Sequence, residues 1–133
     1  MRKREIIKKL KRIYKIKTKS LGVYDFEVIT DNKSYFVKII NITNNYQVTI
    51  NSKIIWDLKK GTINGIRFKA VSSNLISLKE FNKLENKVVI FTSKPYKVLK
   101  VLNESDLLDI SNEKTVNDIF ITSKIEDLIE YIK

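Results

Sequence analysis

The chain has 133 residues, the size of one domain, and 43% of them are hydrophobic, enough for one core without staples and too many for a disordered polymer. It contains neither cysteine nor histidine, which removes disulfides, zinc ribbons, Ser-His-Asp and Cys-His catalysis and the commonest transition-metal ligand. Any chemistry has to run on carboxylates, lysines, tyrosines and a hard cation such as magnesium.

The formal charge of +11 is polarised: residues 1–100 hold 23 Lys/Arg against 7 Asp/Glu, and residues 101–133 hold 3 against 8. A gradient of that kind points to an anionic partner for the front of the molecule. Compositional bias is the competing account, because a chain rich in Lys, Ile and Asn with four arginines and one alanine has the stamp of AT-rich coding. That bias raises lysine without function, yet it does not explain the acidic end. No apolar run reaches bilayer length, and residues 2–19 lack the apolar core of a signal peptide. The expectation is a cytoplasmic, soluble protein with no membrane partner.

Residues 2–17 predict an amphipathic helix with Ile6, Leu10, Ile13 and Tyr14 as its apolar stripe. Around the stripe stand Arg2, Lys3, Arg4, Lys8, Lys9, Lys11, Arg12, Lys15, Lys17 and Lys19 against one acid, Glu5. Such a density suits phosphate contact, since each neutralised phosphate releases counterions. A solvated face docked by its stripe to a sheet is the alternative of equal weight. Residues 18–22 break the helix.

Residues 23–60 read as a three-stranded meander. In the first strand, 23–30, Tyr24, Phe26 and Val28 alternate with Asp25, Glu27 and Ile29. Asp31-Asn32-Lys33 turns the chain into a second strand at 35–42, apolar except at Lys38. Asn44-Asn45 leads to a third strand at 46–51, and Trp56 continues or caps the sheet. A wheel of Ile63, Ile66, Ala70, Leu78, Phe81 and Leu84 predicts a crossover helix over 64–85. The competing reading is a fourth strand at 66–71 and a shorter helix. Residues 87–92 form a buried strand joining the sheet in parallel. A strand at 97–102, a short helix at 105–110 and a strand at 116–121 follow. A terminal helix opens on a Ser123–Glu126 capping box and buries Ile125, Leu128, Ile129 and Ile132. The whole is one domain, 1–133: basic helix 1–19, meander 23–60, and crossover helix, buried strand and final β/α elements over 61–133.

This order, α-βββ-α-β followed by β-α-β-α in an α/β class with a mixed sheet, resembles the PD-(D/E)XK, or restriction-endonuclease-like, superfamily, nearest to its nuclease-related domains. The resemblance aligns Glu5 with a helix glutamate, Asp25 with the strand aspartate, and residues 35–40 with the E-x-K strand. It also implies that the E-x-K glutamate falls on Lys38 and its lysine on Ile40. Cleavage in that family needs two carboxylates on magnesium and a lysine for the attacking water. A cation at position 38 repels the metal and pairs with Asp25 instead. The resemblance therefore implies an inactive nuclease scaffold that binds nucleic acid, DNA above all, without a cofactor.

The candidate contacts are Arg2, Lys3, Arg4, Lys8, Lys9, Lys11, Arg12, Lys15, Lys38, Lys59 and Lys60, with Lys33 and Lys53 beside them on the meander. One alternative is a magnesium nuclease rebuilt on Asp25, Glu27 and Lys38. The other is a protein-interaction module, and a homodimer through an apolar strand edge is compatible with either. No phosphate-binding glycine loop, helix-turn-helix or RNA-recognition signature occurs, although Thr62 and Asn64 at the predicted helix start suit one phosphate.

Overall fold

The computed structural model describes residues 1–18 and 22–133; Lys19, Ser20 and Leu21, the centre of the predicted helix break, lie outside the described residues. In chain order the elements are helix α1 (Lys3–Lys11), strands β1 (Lys15–Thr18), β2 (Phe26–Ile29), β3 (Ser34–Ile40), β4 (Tyr46–Ile50), β5 (Ile55–Asn64) and β6 (Arg67–Ser77). A 3-10 turn (Phe81–Lys83) precedes β7 (Lys87–Phe91), β8 (Lys97–Val101), β9 (Leu107–Asp109), β10 (Thr115–Val116), β11 (Ile119–Thr122) and helix α2 (Ile125–Ile132). The described residues are mainly β, 46% strand and 15% helix, with two helices and two mixed sheets among them. This overturns the α/β class and the restriction-endonuclease-like order α-βββ-α-β.

One sheet has six strands in the order β1-β2-β3-β7-β11-β10, the other five in the order β6-β5-β4-β8-β9. The chain passes back and forth between them. β3 lies in the first sheet and β4 in the second, β7 in the first and β8 in the second, and β11 returns to the first. Successive passes stack in parallel, with Val37 beside Val88 beside Phe120 in one sheet and Val48 beside Val98 in the other. The predicted meander therefore does not exist as one sheet. β2 and β3 form its antiparallel hairpin, whereas β4 has crossed to the second sheet. Thr92 secures the crossing: its hydroxyl accepts the Ile42 N–H at 3.0 Å, and its own N–H donates to the Ile40 carbonyl at 3.1 Å.

Two cores result. Between the sheets lie Ile40, Val48, Ile50, Trp56, Leu58, Val89, Phe91 and Val98. On the other side of the first sheet, Ile6 and Leu10 of α1 and Ile125 and Leu128 of α2 pack on Phe26, Val28, Val37, Val88, Ile90 and Phe120. β7 is buried on both faces, which is why it reads as an uninterrupted apolar run. The buried strand predicted at 87–92, and its parallel entry into the sheet, are observed. Lys87 at its start is buried, and its ammonium donates to the carbonyl and side-chain oxygens of Asn82 at 3.1 and 3.3 Å.

The crossover helix predicted over 64–85 is absent. β5 and β6 form a long antiparallel hairpin through that segment, so the competing strand at 66–71 is present without the shorter helix, of which one 3-10 turn remains. The helix at 105–110 is also replaced: the Asn103 side chain accepts the N–H groups of Ser105 and Asp106, and the turn lays β9 back on β8. Ser111 holds that edge, its hydroxyl and N–H both donating to Asp109, which keeps the Asp109 carboxyl below its ordinary value. The first helix stops at Lys11 and residues 15–18 form a strand, leaving Ile13 exposed. At α2 the Ser123–Glu126 box does not form; the Thr122 hydroxyl accepts the Lys124 N–H and donates to Asp127. Tyr131 of α2 stacks on Phe120 at 4.1 Å, and burial followed by the neighbouring Tyr35 pushes its phenol up.

Replacing Ile90 by alanine removes the larger of the two side chains, Val88 and Ile90, that β7 sends into the helix-bearing core. The unfolding free energy in urea is expected to fall by about 2–5 kcal/mol, with α1 and α2 losing amide protection first.

Candidate nucleic-acid interface

α1 places its charge by burying so little. Ile6 and Leu10, one turn apart, are its fully buried residues, so Arg4, Lys8, Lys9, Lys11 and Arg12 all face outward. The Ile13 and Tyr14 N–H groups both return to the Leu10 carbonyl. The chain then enters β1, the outer strand of the six-stranded sheet, whose Lys15 and Lys17 are exposed. One outward helix face and one sheet edge thus present a run of cations in which Glu5 is the sole acid.

Local energetics oppose this arrangement. Arg2 is the N-cap and makes no side-chain cap bond. Arg2, Lys3 and Arg4 stand at the positive end of the helix dipole, each at a cost of about 0.3–1 kcal/mol. Arg4, Lys8 and Arg12 repeat at the four-residue spacing where like charges repel. Among the described residues the ion pairs are Lys3–Asp25, Lys59–Asp57 and Lys83–Glu80. Lys3 is therefore the only cation of α1 and β1 with an acidic partner.

The rebuilt nuclease triad is dispersed. Asp25 sits at a bend before β2. One of its carboxylate oxygens takes the Lys3 ammonium at 3.2 Å, and the other accepts the Ile39 N–H at 2.6 Å. The carboxylate thus extends the β2–β3 ladder past the point where backbone pairing stops. The bend also breaks the predicted alternation: Tyr24 packs on Phe36 at 4.9 Å toward the second sheet, while Phe26 and Val28 face the helices. Glu27 lies opposite Phe36. Lys38 lines a different hollow with Gly22, Val23, Ser77, Lys79, Glu80 and Phe81. The predicted Asp25–Lys38 pair is not formed; Lys3, distant in sequence, takes its place. Among the described residues no three carboxylates gather around a common point.

The remaining candidates lie on β5 of the second sheet and in turns of both sheets. Lys59 lies 4.0 Å from Asp57, whose other oxygen accepts the Ser73 hydroxyl. Lys60 is exposed beside a hollow at the end of β3, while Lys33 and Lys53 are exposed in turns. The phosphate site expected at a helix start near Thr62 and Asn64 is lost with the helix, since both residues belong to β5. A cavity of about 240 Å³ opens where β7 and β11 end, and carries Lys94, Lys114 and Lys124. Glu113 and Asp127 line it too and offset two of those three charges.

Neither a family model, a curated protein nor a solved structure matches the chain, and nothing among them identifies a PD-(D/E)XK protein. Among the described residues no helix is long and apolar enough to cross a membrane.

Asp25 is a joint between α1 and the sheet in this geometry. Asp25→Ala leaves the Ile39 N–H without its acceptor and frees Lys3. A loss of about 1–3 kcal/mol is expected on urea unfolding, and Asp25→Asn, which keeps an acceptor oxygen, is expected to recover part of it.

Proposed function

We propose that the chain is a non-catalytic nucleic-acid-binding protein, with duplex DNA as its expected ligand, that grips phosphates through α1 and β1 with little sequence preference. The observation that carries this reading is the set of cations from Arg2 to Lys17, held on a helix and a sheet edge, which apart from Lys3 are exposed and, among the described residues, have no acidic partner. Free in water, that set repels itself, and Arg2 and Arg4 oppose the dipole of their helix, although Lys8, Lys9 and Lys11 in its last turn favour it. Against a phosphate backbone the same charges release counterions and gain affinity. Two buried side chains fix α1 to the sheet, so little ordering accompanies binding. The acids concentrate in residues 101–133 of the sequence, but acidic α2 packs on the same core as α1, so a polyanion is drawn to the α1 and β1 cations themselves rather than to one end of the molecule.

Fluorescence anisotropy with a labelled 20-base-pair duplex across a salt series tests this. With five to eight phosphates neutralised, the slope of log affinity against log salt is expected to be roughly −4.5 to −7. The triple variant Lys8→Glu, Lys9→Glu, Arg12→Glu is expected to lose at least about tenfold in affinity and to flatten the slope by about 3. Absence of binding to duplex, single-stranded and branched DNA at low salt contradicts the reading. So does a triple variant that binds like the parent.

A further inference from the structure

We propose that the outer half of the β5–β6 hairpin is an arm that enters a groove of duplex DNA, with Ile66 as an apolar wedge at its tip; this rests on the DNA-binding reading above. β4 pairs with β5 only as far as Lys60. Gly61, just past a register shift, still gives its N–H to the Asn45 carbonyl at 2.9 Å; beyond it Thr62–Asn64 pair with Arg67–Lys69 of β6 and, among the described residues, with no third strand. The result is a short two-stranded ribbon, the kind of element that β-ribbon proteins lay in a groove of DNA, the minor groove where an apolar side chain is wedged between base steps.

Its chemistry matches a polyanion with a hydrophobic interior. Between Asp57 and Glu80 there is no acid, while Lys59, Lys60, Arg67, Lys69 and Lys79 are all cationic. At the turn Ile66 is 91% exposed, the most exposed large apolar side chain described, and Val71 on the same arm is 72% exposed. Apolar side chains presented beside cations are what DNA-kinking proteins insert between base steps, with the cations holding the flanking phosphates.

The arm is also held in shape before any ligand arrives. The Tyr96 hydroxyl donates to the Ile66 carbonyl at 3.0 Å, and its ring stacks on Phe68 at 5.8 Å. The Lys97 ammonium lies over the Tyr96 ring, 5.6 Å from its centroid. At the root of the arm a Cβ on Gly61 would collide with the Lys69 carbonyl and the Phe68 ring, so the strands approach there as only glycine permits. Gly65 in the turn has φ of +63°, which sets Ile66 outward. A braced ribbon with an apolar tip loses little freedom on insertion.

The test uses a duplex of about 30 base pairs labelled at both ends, read by energy transfer for bending and by anisotropy for affinity. Ile66→Ser and the pair Arg67→Glu, Lys69→Glu are compared with the parent. All three positions are exposed, and circular dichroism checks that each variant is folded. The parent is expected to raise energy transfer on binding. Ile66→Ser is expected to abolish that rise with about a tenfold loss of affinity or less, and the charge-reversed pair to flatten the salt slope by about 2. A parent that binds without bending, an Ile66→Ser variant that bends DNA as the parent does, or equal losses on single-stranded and duplex DNA overturns the arm while leaving the α1 reading in place. A parent that binds no DNA removes both.

Discussion

Burial of β7 on both faces is the constraint on which the rest of the molecule depends. Val88 and Ile90 face one core, Val89 and Phe91 the other, and both neighbouring strands run parallel to it. A parallel neighbour cannot be reached through a tight turn; the chain has to travel back to the starting end first. Here the return leg is made of strands rather than of a helix alone. Each leg adds to a second sheet, and the facing side chains of the two sheets make the inner core around Trp56. The outer face of the first sheet is left apolar, and α1 and α2 cover it. The two-sheet architecture and the helical layer thus share one cause.

The candidate interface follows from how lightly α1 is attached. A helix that spends two side chains on the core can devote the rest of its surface to a ligand. Asp25 adds a lateral joint at the helix start, holding Lys3 and the Ile39 N–H together. The price is local: a helix with cations at its N-terminus and at four-residue spacing is less stable than its composition allows. Local rules are broken in this way where function compensates. The β5–β6 arm shows the same pattern, with apolar side chains exposed on a ribbon without an acid.

Where a single element carried its own signal, the sequence was readable. The apolar run of β7 announced a strand buried on both faces, Ile6 and Leu10 announced the helix, and Ile125 and Leu128 marked the inner side of α2. The largest misreading was the helix over 64–85. Its apparent stripe includes Ile66, whose side chain is almost entirely in water, so the helical spacing was coincidental. The usable local signal was Gly65 between apolar residues, the glycine that opens the two-residue loop Gly65-Ile66 at positive φ, followed by Ser72-Ser73-Asn74, which are poor helix formers.

Other features were beyond local reach. The β3–β4 connection looks like a hairpin turn, but Thr92, 50 residues from Ile42 in sequence, closes the first strand onto β7 and sends the second to another sheet. The β2–β3 register ends at Phe26 opposite Val37, and Asp25, at the bend just before it, gives its carboxylate to Lys3 of α1 and to the Ile39 N–H. Whether Lys3 or Lys38 takes that carboxylate was decided by tertiary packing.

Under the proposed function binding is localised: nucleic acid meets α1, β1 and the arm, and not the acidic elements β9 and α2. An amide chemical-shift titration of the isotopically labelled chain with short duplex DNA addresses this residue by residue. The account predicts perturbations concentrated in Lys3–Lys11, Lys15–Thr18 and the turn around Ile66, with Leu107–Asp109 and Ile125–Ile132 unmoved. Perturbations centred on β9 and α2, or shifts of equal size throughout, would contradict it.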